Sequence, residues 1–394
     1  MYERKQLKLL LERISDKKNL IQVITGPRQS GKTTLATQLT NKIKIPYHFV
    51  SADAVPSSNM MWIKQQWDFA RIQYNQSGRN EFLLIIDEIQ KISNWSELVK
   101  KEWDYDRRQK INIRVILLGS STLLINKGLS ESLVGRFELI KLPHWSFLEM
   151  EEAFGLKPEE YVYFGGYPGS VDFINDELRW KDYIRNSIIE ATISKDILQL
   201  TNIQKPALLK NLFELGCIYS GQILSYTKML GHLVDAGNTT TLAHYQNLLN
   251  EIWLLCGIQK YSGSKIKIRS STPKWLTYNT ALISVYDDFN FLTLKSNPVE
   301  FGRRVEQTIG AHLLNSARVH NFNVYYWRDA NDEVDYVIQK GKTVIPIEVK
   351  IGKVKFHRGL SRFAEQFKVK KTILISDETL DWKDFLKMNL NELF

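Results

Sequence analysis

The chain has 394 residues, of which 43% are hydrophobic and 24% charged, as in ordinary globular proteins of about two to four domains. It contains no run of about 18 uncharged apolar residues, so no membrane span is predicted, and its first residues lack the apolar core of a signal peptide. We therefore expect a cytoplasmic protein without a membrane partner, and the net charge of +10 is compatible with nucleic-acid binding but does not establish it.

The first informative element along the chain is a glycine-rich loop between a strand pattern and a helix pattern. Apolar residues 20–24 predict a buried strand, and residues 34–39 predict the start of a helix. Backbone N–H groups in such a loop, together with the helix N-terminus, bind phosphate. A chance match is the alternative, and the strand and helix context makes it less frequent. The loop fits the pattern G-x-x-x-x-G-K-[ST], and its candidate nucleotide-binding residues are Gly26, Pro27, Arg28, Gln29, Ser30, Gly31, Lys32, Thr33 and Thr34.

Four residues carry the expected chemistry of ATP hydrolysis. We expect the Lys32 ammonium group to contact the β- and γ-phosphates of ATP, and the Thr33 hydroxyl to hold Mg²⁺. The apolar segment 82–86 ends in two acids, Asp87 and Glu88. Asp87 would help to hold the Mg²⁺ ion, and Glu88 would act as the general base that polarises the attacking water. An acidic loop after a core strand is the alternative, and the upstream loop favours the catalytic interpretation.

Two further segments offer candidates for contact with the γ-phosphate. The apolar strand 114–118 leads to Ser120 and Ser121, and carboxyl ends of parallel strands gather where ligands bind. Ser120 or Ser121 is therefore either a γ-phosphate sensor or part of a serine turn. Arg136 is either a finger that stabilises the transferred phosphoryl group, in cis or from a neighbouring subunit, or a surface salt-bridge residue. A finger from a neighbour implies a homo-oligomer.

Together these segments resemble one prokaryotic branch of the AAA+ ATPases. The similarity is carried by GPRQSGKTT at 26–34, LLIIDEIQKI at 83–92, VILLGSS at 115–121 and GRFELIKLPHWSFLEM at 135–150. The segment YFGGYPG at 163–169 is similar to a Gly-Gly-x-Pro element that follows the ATPase core in those proteins. Members of that branch commonly carry a long C-terminal extension ending in a restriction-endonuclease-like domain, and the resemblance implies the same architecture here.

The middle of the chain is predicted to be mainly helical. Isoleucines at helical spacing in residues 170–200 predict a helical lid on the ATPase core. Residues 206–260 contain three helix-like patterns, followed by the strand 254–261 and a basic ribbon at 265–269. Helices followed by a β-wing indicate a winged helix, which either reads DNA or serves as a protein-packing module. The ribbon offers phosphates three basic side chains, Lys265, Lys267 and Arg269.

The last part of the chain contains a second group of charged residues. Residues 333–338 and 344–350 predict two strands joined by a glycine turn, which is a hairpin. Asp335 and Glu348 would project from neighbouring strands, and Lys350 shares a face with Glu348 because strand side chains alternate. This pattern resembles the core of the restriction-endonuclease-like superfamily.

Such an arrangement suits metal-dependent cleavage of a phosphodiester bond. Asp335 and Glu348, with Glu306 from a preceding helix, would hold one or two Mg²⁺ or Mn²⁺ ions that activate water. Lys350 would orient the water or offset the charge on phosphorus. A basic run at 353–358 either contacts a phosphate backbone or is a solvated loop and helix start. Whether cleavage is retained stays open.

The sequence thus predicts an α/β protein that hydrolyses ATP and that binds DNA and cleaves it. A nuclease-inactive, nucleotide-switched regulator of DNA or protein contacts is the first alternative, and a protein-remodelling ATPase is the second. The predicted parts are a P-loop AAA+ core at 1–155, a helical lid at 156–203, a winged-helix-like domain at 204–290 and a nuclease-like domain at 291–394.

Overall fold

A computed structural model describes residues 2–119, 129, 132–198, 203–233, 237–263, 271–354 and 356–394. The chain forms two compact units, which divide between Leu142 and Pro143. None of the helices described by these residues is both long enough and apolar enough to cross a membrane.

The first unit is built on a five-stranded parallel sheet. β1, β3 and β4 are buried along their whole length, because a parallel sheet covered by helices needs apolar side chains on both faces. The strands lie side by side in the order β2-β3-β4-β1-β5 and are β1 (Ile21–Thr25), β2 (Tyr47–Ser51), β3 (Phe82–Asp87), β4 (Ile113–Gly119) and β5 (Phe137–Lys141).

Helices cover both faces of this sheet. On β1, Val23 belongs to a core cluster with Trp67 and Trp103, whereas Ile24 belongs to a cluster with Leu10 and Leu35. This alternation follows from the two-residue period of a strand. An α/β fold with a parallel sheet, as predicted, is therefore confirmed. The helices of this unit are α1 (Gln6–Ile14), α2 (Lys32–Thr40), α3 (Met61–Ser77) and α4 (Trp95–Gln109), with a 3₁₀ turn at Ile89–Lys91.

The second unit contains a mixed six-stranded sheet in the order β11-β10-β9-β8-β6-β7. The pairs β10–β11 and β6–β8 are parallel, and the other neighbours are antiparallel. β9 and β10 form the predicted hairpin. The strands are β6 (Leu255–Lys260), β7 (Lys274–Thr277), β8 (Asn323–Asp329), β9 (Asp332–Lys340), β10 (Thr343–Val349) and β11 (Ile373–Ile375).

A long central helix packs on this sheet and positions its acidic residues. Val305, Ile309 and Leu313 of this helix share one apolar cluster with Tyr336 and Ile347. The helices of the second unit are α5 (Phe147–Phe154), α6 (Pro158–Phe164), α7 (Glu177–Tyr183), α8 (Pro206–Ile218), α9 (Tyr226–His232), α10 (Thr239–Glu251), α11 (Ala281–Ser284), α12 (Phe291–Ser296), the central α13 (Pro298–His320), α14 (Arg358–Phe367) and α15 (Trp382–Lys387). Shorter turns lie at Pro168–Phe173 and Leu390–Leu393 (3₁₀) and at Ile184–Glu190 and Ile193–Leu198 (π).

The division between the two units lies at a different position from the predicted domain boundaries. The first unit ends at Leu142, before the expected boundary at 155. β6 and β7 come from the part predicted as winged-helix-like, yet they share a sheet with strands of the nuclease-like part because Gln259 pairs with Tyr325. The basic ribbon at 265–269 lies outside the described residues. The winged-helix-like and restriction-endonuclease-like assignments stay predictions.

The packing of α13 on the sheet can be tested at Gly310. A Cβ atom added there would lie 2.6 Å from the hydroxyl oxygen of Tyr336 and 3.0 Å from a methyl carbon of Leu276. We expect Gly310→Ala to lower the free energy of unfolding by about 1–3 kcal/mol, because extra volume in a filled core forces neighbours to move. Urea denaturation followed by circular dichroism measures this change.

Gly231→Ala is the matched control, since Gly231 also lies in a helix but has no atom within 4 Å of an added Cβ. Alanine is the better helix former by about 0.5–1 kcal/mol, so this variant should be as stable as the wild type or more stable. Equal stability of the two variants would contradict the close contact between α13 and β9.

Candidate functional site

The loop of residues 26–31 joins β1 to α2 at the carboxyl edge of the parallel sheet. Gly31 has a φ of 90°, in the left-handed region that favours glycine. Gly26 lies so close to the backbone of Leu142 that an added Cβ would be 2.0 Å from its carbonyl oxygen. Glycine is therefore required at both fixed positions of the sequence pattern for the loop to have this shape.

Lys32 is buried, and its ammonium group lies over the loop. The Nζ atom donates hydrogen bonds to the carbonyl oxygens of Gly26 at 2.9 Å and Pro27 at 2.8 Å. Since the lysine begins α2, its charge and the positive end of the helix dipole lie at the same place. The loop thus combines two sources of attraction for a phosphate group.

The two residues predicted to hold Mg²⁺ are in contact. Thr33 Oγ1 donates to Asp87 Oδ2 at 2.8 Å, and the backbone N–H of Glu88 donates to Asp87 Oδ1 at 2.8 Å. Burial raises the pKa of Asp87, and the hydrogen bond from Thr33 opposes this rise. The β1 loop and the end of β3 therefore meet as the parallel sheet requires.

Glu88 lies directly after β3 in a strained backbone conformation. Its φ of 52° is in the left-handed region, which costs a residue with a side chain about 1–3 kcal/mol and is concentrated at functional sites. Its carboxylate accepts a hydrogen bond from Gln90 Nε2 at 2.5 Å. The conformation turns the chain at the sheet edge next to Asp87.

Three buried polar atoms beside the loop fit a nucleotide with its metal. Among the residues that the structure describes, Thr25 Oγ1, Ser30 Oγ and Gln90 Oε1 have no hydrogen-bond partner. Buried polar groups are normally paired, so these atoms are suited to a polar ligand or its bound water. Thr33 and Asp87, which are in contact, carry the hydroxyl and carboxylate oxygens that Mg²⁺ prefers.

The remaining loop residues line the same turn. Pro27 is buried, Arg28 and Gln29 are half-buried, and Thr34 is exposed in the first turn of α2. Ser120 lies outside the described residues.

Arg4 supports the loop and was missed by sequence reasoning. This buried arginine precedes α1, and its Nη1 donates to the carbonyl oxygen of Ser30 at 2.8 Å. It lies 26 positions before Ser30, outside the motif, so no local pattern indicates the contact.

Arg136 lies at the amino end of β5 and forms an ion pair within its own unit. Its Nε and Nη2 donate to the two carboxylate oxygens of Asp104 at 2.8 and 3.1 Å. Its carbonyl oxygen accepts from the N–H of Ile21, at the opposite end of β1 from the loop. The five residues of β1 span about 17 Å, so this position does not support a finger in the chain's own site. Action on a neighbouring subunit stays a prediction.

The second unit brings together the predicted residues of the hairpin. The N–H of Asp335 donates to Glu348 Oε2 at 3.1 Å, and the N–H of Val349 donates to Asp335 Oδ2 at 3.0 Å. Lys350 Nζ lies 2.6 Å from Glu348 Oε1 and 3.9 Å from Asp335 Oδ2. Glu306 completes the acid cluster, a name used here for Glu306, Asp335 and Glu348.

Two further residues contact the acid cluster: Lys274, which the sequence did not indicate, and His357, from the basic run at 353–358. Lys274 of β7 is buried, and its Nζ lies 2.7 Å from Glu306 Oε1 and 3.7 Å from Asp335 Oδ1. His357 Nε2 lies 3.2 Å from Glu348 Oε1. Lys274 falls in a different predicted domain from the hairpin, so only the shared sheet brings it here.

Burial and charge set the protonation of these groups. Burial raises the pKa of Glu348 to about 8; Asp335 adds to the rise and Lys350 opposes it. Burial alone would lower the pKa of Lys274, but Glu306, with Tyr336 and Asp335, raises it well above its usual value. Burial and Lys350 lower the pKa of His357.

The acid cluster as arranged does not fit a divalent metal ion. Among the described residues, no three His, Cys, Asp or Glu side chains are placed to hold one. Lys274 lies between Glu306 and Asp335, and Lys350 and His357 engage Glu348. The hairpin prediction therefore placed its three residues together, while the metal expected there is not supported by this geometry.

Comparison with known families divides the chain into three parts. Residues 18–151 match a family described as AAA domain, and residues 156–291 and 301–390 match two domains of unknown function, DUF8612 and DUF4143. The AAA match covers the loop, Asp87 and Glu88. With the geometry above, it supports a P-loop ATPase domain of the AAA type, as the sequence predicted.

Relatives from several organisms match most of this chain. The chain is 22% identical to an uncharacterized protein of Haemophilus influenzae, over 84% of this chain and 82% of that protein. It is 23% identical to an uncharacterized protein of Methanocaldococcus jannaschii, over 93% of this chain and 83% of that protein. A third uncharacterized relative, from Mycobacterium tuberculosis, is 25% identical over 83% of this chain and 69% of its own length.

Two solved structures are similar at low scores. A variant of Thermotoga maritima RuvB is 17% identical over 64% of this chain and 87% of that chain, with a TM-score of 0.34. A structure from work on katanin self-assembly is 17% identical over 45% of this chain and 65% of that chain, with a TM-score of 0.31. Scores this low define no shared architecture.

The raised pKa of Glu348 predicts a pH-dependent stability. Between its ordinary pKa of 4.5 and its folded value of about 8, the native protein binds more protons at this site than the unfolded chain. The site's contribution to stability is therefore lost as the pH rises through this window. We expect Glu348→Gln to reduce the pH dependence of the unfolding free energy by up to about 1.4 kcal/mol per pH unit.

Urea denaturation at several values between pH 5 and 8 provides the measurement. Glu333→Gln, at an exposed position of the same hairpin, controls for loss of a carboxylate and should keep the wild-type slope. An unchanged slope in Glu348→Gln would show that Glu348 titrates normally.

Proposed function

We propose that this chain binds Mg²⁺-ATP at the loop of residues 26–34 and hydrolyses it, and that nucleotide state controls DNA binding by the second unit. The contact of Thr33 with Asp87, beside the buried charge of Lys32, carries the ATPase part of the proposal. This contact brings an ammonium group, a hydroxyl group and a carboxylate from two distant segments together at one edge of the sheet.

Each residue of this site has a separate role. Lys32 offsets the negative charge of the β- and γ-phosphates, and Thr33 with Asp87 would hold Mg²⁺. The bound metal neutralises charge that develops on the phosphate oxygens. Glu88 polarises the attacking water, which needs a carboxylate within hydrogen-bond reach. Arg4 holds the loop in shape from outside the motif.

DNA binding is supported by basic and aromatic side chains next to the acid cluster. Lys353 and Arg358 are exposed, and the Phe356 side chain between them is 69% exposed. Exposed aromatic rings beside cations are suited to single-stranded nucleic acid, where bases stack and phosphates pair with charge. The net charge of +10 agrees with this partner.

DNA cleavage is the second candidate function. The convergence of Asp335, Glu348 and Lys350 favours it, because this set is the one expected of a restriction-endonuclease-like site. The proposal also includes a homo-oligomer in which Arg136 of one subunit reaches the ATP site of its neighbour.

The ATPase site is tested by two substitutions with different expected results. Lys32→Ala should weaken the binding of a fluorescent ATP analogue and abolish hydrolysis, because the phosphates lose their cation. Glu88→Gln should bind the analogue as the wild type does and lose hydrolysis by about 100-fold or more, as removal of a general base predicts. Phosphate release measures turnover. Wild-type turnover in Glu88→Gln would remove this residue from the mechanism.

DNA binding is tested by fluorescence anisotropy with labelled single- and double-stranded DNA, with and without ATP. We expect Phe356→Ala to weaken single-strand binding about tenfold, the cost of a lost stacking contact. Leu178→Ala replaces another exposed apolar side chain of this unit, 79% exposed, and should not change the affinity.

The same mixtures, with Mg²⁺ or Mn²⁺, are analysed on denaturing gels. Cutting that disappears in Lys350→Ala would establish the second candidate. Equal DNA affinity of wild type and Phe356→Ala would contradict the proposed DNA surface.

A further inference from the structure

We propose that the ammonium group of Lys274 is the resident cation of the acid cluster and occupies the place between Glu306 and Asp335 that a divalent metal would need. This inference deepens the proposed function and rests on the proposed DNA binding by the second unit. It favours a unit that holds DNA without cutting it over the second candidate, DNA cleavage.

The first argument is position. Lys274 Nζ lies 2.7 Å from Glu306 Oε1 and 3.7 Å from Asp335 Oδ1, so it joins the helix acid to the hairpin acid. The Nζ atom of Lys274 also lies 3.4 Å from the backbone oxygen of Asp335. A metal ion that bridged these two carboxylates would need the space that the ammonium group fills.

The second argument is that Lys274 cannot readily leave. It is 6% exposed and pairs with Ile258 within the sheet, and its Nζ lies 4.8 Å from the centre of the Tyr336 ring. A cation over an aromatic ring is attracted to it. Withdrawing one partner from a buried ion pair leaves an uncompensated charge, which is strongly unfavourable.

The third argument is that two further carboxylate oxygens already accept hydrogen bonds and a third lies beside a cation. Glu348 Oε2 accepts from the N–H of Asp335, and Asp335 Oδ2 accepts from the N–H of Val349. Glu348 Oε1 lies 2.6 Å from Lys350 Nζ and 3.2 Å from His357 Nε2. A metal at these oxygens would have to displace the two backbone N–H donors and approach the Lys350 ammonium group.

Lack of access from solvent is not what would keep a metal ion away from the acid cluster. A cavity of about 670 Å³ is lined by Glu306 together with Gln307, Arg303 and Arg304. A hydrated metal ion can therefore reach Glu306 from the cavity. The obstacle is the ammonium group itself, which lies beside Glu306 Oε1 and Asp335 Oδ1 and repels a second cation.

The test measures metal binding directly in the full-length protein by Mn²⁺ paramagnetic resonance, without nucleotide. All proteins carry Thr33→Ala to remove the expected metal ligand at the loop. We expect no Mn²⁺ binding that depends on Asp335 in the Lys274 protein. Lys274→Met should bind Mn²⁺ at the acid cluster at least about tenfold more tightly than the protein with Lys274 does, since a unit positive charge near the carboxylates is removed. Adding Asp335→Asn should abolish the gain.

Lys274→Arg is the matched control, because it keeps the charge and should gain no site. Binding of Mn²⁺ with Lys274 in place, lost on Asp335→Asn, would overturn the proposal, as would a folded Lys274→Met that gains nothing. If circular dichroism shows that Lys274→Met does not fold, comparison of the Lys274 protein with Asp335→Asn decides alone. ATP hydrolysis and DNA affinity, measured on proteins with Thr33 intact, test the proposed function separately.

Discussion

The parallel pairing of β1, β3 and β4 is the constraint on which the nucleotide site depends. The carboxyl ends of parallel strands lie at one edge of the sheet. The sheet itself therefore brings the loop after β1 next to the acid at the end of β3. The hydrogen bond between Thr33 and Asp87 is the result.

The second unit solves a different physical problem, which is the burial of several charges in one place. Three acids and two lysines come together where α13 crosses the sheet, and each buried charge has a partner of opposite sign. The same residue types that predict a metal-dependent site can thus satisfy one another. In the proposal above, the choice between these outcomes depends mainly on Lys274 of β7, a strand far from the hairpin in the chain.

Local patterns predicted the parts of the sites that are contiguous in sequence. The glycine loop, the strand ending in Asp87 and Glu88, and the hairpin of β9 and β10 follow from spacing and periodicity alone. Arg4 and Lys274 did not follow, because each acts across a long stretch of chain and neither belongs to a repeated pattern. The membership of β6 in the second sheet was missed for the same reason, since strand partners are chosen by tertiary hydrogen bonding.

The sequence by itself determined the chemistry available to this protein: a phosphate-binding loop, two acids at a strand end and a hairpin with two acids and a lysine. These are local properties, set by residue type, spacing and backbone preference. Only the tertiary structure decided which charges are neighbours. It placed Arg136 at the sheet end remote from the loop and Lys274 among the acids, because sheet order and helix packing bring together residues that the chain keeps apart.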